Sequence, residues 1–137
     1  MASGIYSQAK YDWLTKAVSM TGDTINVALM AVGHSFTASN TIWSNVSANE
    51  ATNTSGSGYT AGGAALGTKA VTAGATTKFT AANTTWTTCS ITAYFAVIYD
   101  ITVSNHLIAS IDFGGAVTST NGTFQITWDA AGIIQLT

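Results

Sequence analysis

From Thr24 onward, the apolar residues of this chain fall at every second position. Thr24-Ile25-Asn26-Val27-Ala28-Leu29 opens the pattern. Leu107, Ala109, Ile111 and Phe113 then alternate with Ile108, Ser110 and Asp112, and Phe124, Ile126 and Trp128 with Thr123, Gln125 and Thr127. A period of two belongs to strands with one buried face. Strands are expected over residues 66–72, 76–81, 84–91, 92–99, 106–113, 122–128 and 133–136. Ile91, Ala93, Phe95, Val97 and Tyr99 read as one face of their strand, with Tyr94 and Ile98 on the other. Such a doubly apolar strand belongs in the middle of a sandwich or beneath a neighbouring subunit. Asn121-Gly122 reads as a hairpin tip, because both residues tolerate positive φ. The expected fold is mainly β: a compact antiparallel β-sandwich, jelly-roll-like, with one N-terminal amphipathic helix.

That helix is expected over residues 4–20. Tyr6, Ala9, Trp13 and Ala17 recur at three- and four-residue steps, and Ile5, Leu14 and Val18 widen the apolar stripe. Ser7, Gln8, Lys10, Asp12 and Thr15 make the polar face. Ser3 is placed to cap the start and Gly22 to end it. The helix either packs on the core or serves as an assembly arm. With 137 residues, the chain is read as a single domain, 1–137, made of an N-terminal helix or arm (1–22) and a β-sandwich (23–137). Ile42, Trp43 and Val46 suggest a short helical turn between strands.

The surface of such a fold has almost no charge available to it. Charged residues make up 7% of the chain, with four lysines, six acids, no Arg and no Pro, for a net charge of −2. A soluble monomer carries about a quarter. A surface of Thr, Ser, Asn, Ala and Gly costs little to desolvate, so the chain reads as one built to be packed into something larger. Lys10, Lys16, Lys69 and Lys78 are scattered, which argues against nucleic acid as a partner. The longest apolar stretches, Ile25–Val32 and Ala93–Tyr99, suit buried strands and fall short of the roughly 18 residues of a membrane span. No membrane partner is expected. No export signal is readable at the N-terminus, so synthesis in the cytoplasm is expected. The one cysteine, Cys89, excludes an internal disulfide and reads as a buried thiol.

Little chemistry is visible. Residues 53–63, Asn-Thr-Ser-Gly-Ser-Gly-Tyr-Thr-Ala-Gly-Gly, form a glycine-rich loop, but no lysine follows at phosphate-binding spacing, so it reads as a turn or assembly loop. His34 and His106 belong to no metal-ligand spacing. Asp100, Asp112 and Asp129 sit in or at the ends of strands, and Glu50 has no evident carboxylate partner. Gly56-Ser57-Gly58 is not a nucleophile elbow. No catalytic residue, cofactor or metal is expected, and the chain is read as not an enzyme. Carbohydrate binding is an alternative: Trp43, Tyr59 and Trp86 could stack on sugar rings, although alternation favours Trp86 and Trp128 as core.

Several blocks together resemble a known group. Gly4-Ile5-Tyr6, Asp23-Thr24-Ile25-Asn26-Val27-Ala28-Leu29 and Ser57-Gly58-Tyr59-Thr60-Ala61-Gly62-Gly63 come first in order. Ala96-Val97-Ile98-Tyr99-Asp100, Leu107-Ile108-Ala109-Ser110-Ile111-Asp112-Phe113-Gly114 and Asn121-Gly122-Thr123-Phe124-Gln125-Ile126-Thr127-Trp128-Asp129 follow. In that order they resemble small structural proteins encoded by tailed bacteriophages. The resemblance spans most of the chain. It implies a virion protein of the head decoration (cement) type, whose partners are the major capsid protein and further copies of itself, most simply as a trimer at three-fold positions. A tail or fibre component is the alternative address.

Members of that group tend to place acids just before the Trp and an Arg after Thr-Ala. Here the sites read Ala82-Asn83-Thr84-Thr85-Trp86 and Tyr94-Phe95, so apolar and hydrogen-bonded contacts are expected in place of salt bridges. Candidate contact residues are Ile5, Tyr6 and Trp13 in the helix, Trp43 in the short helical turn, and Tyr59, Gly62 and Gly63 in the glycine loop. Tyr59, the one large side chain of the loop, is the expected anchor.

Overall fold

The computed structural model describes residues 3–137; the first two residues of the expected arm lie outside them. The chain enters the fold as a strand, not a helix. β1 (Gly4–Ile5) pairs antiparallel with Ser110 and Ala109, and the Tyr6 N–H donates to the Ile108 carbonyl at 2.9 Å. Only then does α1 (Ser7–Leu14) begin. Ser3 does not cap it: its hydroxyl accepts from the Asp112 N–H at 2.9 Å. The helix also stops well before Gly22. The Thr15 hydroxyl donates to the Tyr11 carbonyl, and Lys16 takes a φ of 62°, in the left-handed region where an α-helix cannot continue.

The faces of α1 correct the expected pattern as well. Leu14 is 88% exposed, whereas Asp12 is buried beside Ala9. The acid can go inside because its charge is met there: Gln8 Nε2 donates to one carboxylate oxygen, and His106 Nδ1 lies 2.8 Å from the other.

The remaining elements are β2 (Ile25–Met30), 3-10 turns at Trp43–Asn45 and Ser47–Asn49, β3 (Ala64–Ala65), β4 (Ala70–Thr72), β5 (Thr77–Thr80), β6 (Thr84–Asp100), β7 (His106–Ile126) and β8 (Ile134–Leu136). They make two antiparallel sheets, one of five strands in the order β1-β7-β6-β2-β3 and one of three in the order β4-β5-β8. The fold is mainly β, with one short N-terminal helix and no closed barrel among the described residues.

Two expected strand pairs are each one long strand. Residues 84–91 and 92–99 run together in β6, and 106–113 joins 122–128 in β7. Asn121-Gly122 is therefore a bulge rather than a hairpin tip. Asn121 does take positive φ (44°), but Gly122 pairs with Cys89, and the Asn121 N–H donates to the Ser90 hydroxyl at 2.8 Å. The β6–β7 ribbon is strongly curled. Phe113 and Phe124 lie eleven positions apart on one strand, a span of about 35 Å if extended, yet their ring centroids are 6.3 Å apart.

A second irregularity changes which residues share a face. Only Tyr94 separates Ala93 from Phe95, whereas Phe113–Ala116 separate their partners Asp112 and Val117. Across this break the alternation slips by one. Ile91 and Ala93 pack in one cluster with Ala96 and Ile98, and Phe95, Val97 and Tyr99 pack in another. The first cluster lies between the sheets, joined by Phe79 of β5 and Ile134 of β8. The second covers the opposite face of β6, where Tyr6, Val46, Phe36 and Trp43 close over it. β6 is thus buried on both faces at its C-terminal end, as its composition demands.

Candidate contact surface

The glycine-rich loop is not free to reach a partner. Its first half is stitched along β6: the Thr54 N–H donates to the Ser90 carbonyl, the Ser90 N–H to the Ser55 carbonyl, and the Gly58 N–H to the Thr88 carbonyl. The approach is so close that a Cβ on Gly58 would stand 1.3 Å from the Thr87 carbonyl oxygen. Glycine is needed there for contact with backbone rather than for flexibility.

Tyr59 turns inward and is 6% exposed. Its hydroxyl accepts from the Leu29 N–H at 2.9 Å and donates to Glu50 Oε1 at 2.8 Å, and its ring packs 5.4 Å from that of Trp86. Burial pushes its phenol well above the ordinary range, with Glu50 adding to the shift. The same Glu50 oxygen accepts from the Gly62 N–H at 2.6 Å, while Tyr99 and Asn26 donate to the Gly62 carbonyl. Gly63 has a φ of 83°, and a Cβ on it would stand 1.9 Å from the Val27 carbonyl oxygen. Gly62 and Gly63 therefore belong to an internal latch.

Burial also removes Tyr6 and Tyr59 as surface anchors. Tyr6 is enclosed with Phe36 against it, and burial pushes its phenol to about 12. Trp43 is half-buried, stacked on Tyr99 at 4.5 Å and 8°. Ile5 is half-buried and pinned in β1. Trp86 is core, as its alternation suggests. The three aromatic rings that sugar binding would use are thus held against other rings of the protein.

One expected contact residue does reach an opening. Trp13, with Met20, faces the three-stranded sheet across a cleft of about 190 Å³ whose other walls are Val71, Phe79, Ile134 and Leu136. The strand register builds those walls: Val71 pairs with Phe79, Phe79 with Ile134, and Thr77 with Leu136, so all five side chains share one face. Phe79 and Ile134 are buried in the core, while Val71 and Leu136 are about half exposed, at 50% and 46%. Lys78 also lines the cleft, with its ammonium donating to the Ala130 carbonyl at 3.0 Å. Ile134 and Leu136 fall in the strand expected over 133–136, but strands of three residues are too short to show a period that would mark them, or Val71, as a lining.

His34 and Ser110 are held against each other inside the fold. His34 Nε2 lies 3.0 Å from the Ser110 hydroxyl, and both residues are buried; burial pushes the imidazole below its ordinary range, toward the neutral form. Among the described residues, no group of three or more His, Cys, Asp or Glu is placed to hold a metal ion. No helix among them is long and apolar enough to cross a membrane. No protein-family model, curated protein or solved structure matches the chain.

Proposed function

We propose that this chain is a structural protein of a tailed-phage particle, a head decoration protein that attaches to the outer face of the shell as a homo-oligomer. The observation that carries this reading is the apolar cleft beside Trp13, set in a surface with almost no charge. A partner side chain entering it would meet Val71, Phe79, Ile134 and Leu136, with the Lys78 ammonium at the wall held to the Ala130 carbonyl. Tyr11, Leu14, Val32, Ile101 and Val117 are exposed elsewhere, but here Trp13, Met20, Val71, Phe79, Ile134 and Leu136 line one concave opening, from which a partner side chain gains by excluding water. The order of residue blocks that resembles tailed-phage structural proteins supports the same reading.

Binding would strengthen the shell by mass action, because a ligand that holds only the assembled state shifts the equilibrium toward it. Quantitative mass spectrometry of separated heads and tails tests the reading. Copies in the head fraction comparable with the major capsid protein are expected. A small copy number confined to tails would replace the reading with a tail or fibre component.

A further inference from the structure

Two acids meet where β2 begins and β6 ends. Ile25 and Asp100 are register partners, so Asp23, two residues before Ile25, comes level with the turn that follows β6. The Ile101 N–H donates to the Thr24 carbonyl at 3.1 Å, and the Thr24 N–H to the Thr102 hydroxyl at 2.9 Å, holding the two segments side by side. Asp100 is 0% exposed. One of its carboxylate oxygens, Oδ1, accepts from the Thr102 and Val103 N–H groups at 2.8 and 3.1 Å. The other, Oδ2, is buried and has no donor among the described residues. The Asp23 carboxylate is the neighbour of this carboxyl group.

Two carboxylates in this relation need something positive between them, since neither supplies a proton when ionised. Among the described residues, none is shown supplying it. The Lys69 ammonium donates to the Asp23 backbone carbonyl, not to either carboxylate. Asp23 Oδ2 already accepts from the Ser19 N–H at 2.8 Å, which fixes its side chain without neutralising it. Asp23 is only half-buried, so solvent and ions reach the pair from its side.

We propose that Asp23 and Asp100 together bind a hard divalent cation, calcium or magnesium, which joins the residue 19–24 turn to the β6–β7 turn. Hard cations take carboxylate oxygens as ligands, and a site with two carboxylates completes its shell with water. At low pH a proton on Asp100 takes the cation's place. Among the described residues, Asp23, Asp100 and Lys69 are the ionisable groups shown at the junction, and no histidine is among them. The inference concerns the isolated chain and holds whether or not the protein decorates a shell.

Thermal unfolding of the isolated protein at pH 7.5 and constant ionic strength, in chelator-treated buffer and then with millimolar calcium or magnesium chloride, tests it. The expected result is a saturating rise in Tm of several degrees with a divalent cation and none with added sodium. Asp100→Asn keeps the oxygen that accepts the two N–H groups, so it is expected to fold, start from a higher Tm without cation, and respond at least tenfold more weakly. Asp23→Asn, at the half-buried position, should lose the response equally. At pH 4.5 the wild-type response should vanish. Calorimetric titration of the wild type gives a direct reading. No heat and no Tm shift at pH 7.5 would overturn the proposal, as would an equal shift in both variants.

Discussion

The Tyr59 hydroxyl donates to Glu50 at 2.8 Å and accepts from the Leu29 main chain at 2.9 Å. That pair of bonds turns the one large residue of a glycine-rich loop into part of the core. Tyr59→Phe keeps the ring against Trp86 but leaves a buried N–H and a carboxylate oxygen each short of a partner. The expected cost is about 1–3 kcal/mol, read as a lower urea midpoint with an unchanged slope. A cost within error of zero would mean that the ring alone holds the loop.

The glycines divide by what stands behind them. Gly58→Ala would drive a methyl group into the Thr87 carbonyl, whereas Gly67 has nothing within 4 Å of a Cβ and no positive φ. Gly58→Ala is expected to cost about 3 kcal/mol or more, and Gly67→Ala to be neutral or stabilising by about 0.5 kcal/mol through the unfolded chain. Matched urea titrations of the two variants check this. Equal effects would sink the close-approach account.

Much of this architecture is readable from spacing. Period two locates β2, the two halves of β6 and those of β7, and the doubly apolar composition of residues 93–99 is matched by burial on both faces. What spacing does not carry is a slip in phase. The break at Tyr94 moves Phe95 away from the face of Ala93, and nothing in Tyr94 itself marks a bulge. Asn121-Gly122 has the right backbone freedom, but hairpin tips and bulges draw on the same residues. Asp12 misleads for another reason. Its partner His106 is 94 positions away, so no local pattern shows that the acid has a hydrogen-bond partner inside. Tyr59 misleads in a similar way: its small polar neighbours suggest exposure, while Glu50 and Leu29 decide its direction.

Asp100 gives the fold a pH dependence whose sign follows from its environment. Burial first, then the neighbouring Asp23, raise its carboxyl from the ordinary 3.8 to about 6. A group that binds protons more tightly when folded contributes stability below 3.8 and loses it as pH rises through 6. The gap corresponds to about 3 kcal/mol. His34 acts in the opposite direction: burial lowers its pKa, so its contribution is present above 6.5 and lost as pH falls. Comparing wild type with Asp100→Asn in chelator-treated buffer cancels the histidine. Their stability difference should move in favour of the variant between pH 4 and pH 7, and a flat difference would remove Asp100 as its source.

The contact reading is tested where the cleft is open. Val71 and Leu136 are half exposed, so Val71→Asp or Leu136→Asp should change stability by about 0.5 kcal/mol or less. Each would place a carboxylate against Trp13, Phe79 and Ile134, and a partner side chain would then have to desolvate it. Attachment to phage heads lacking the protein is expected to fall at least tenfold for either variant, and to remain for Thr85→Asp on the exposed face of β6. Because so few charges are present, wild-type attachment should survive raised ionic strength, where screening would release a contact built on ion pairs. Release of the wild type in moderate salt, or full attachment of both cleft variants, would move the contact elsewhere on the surface.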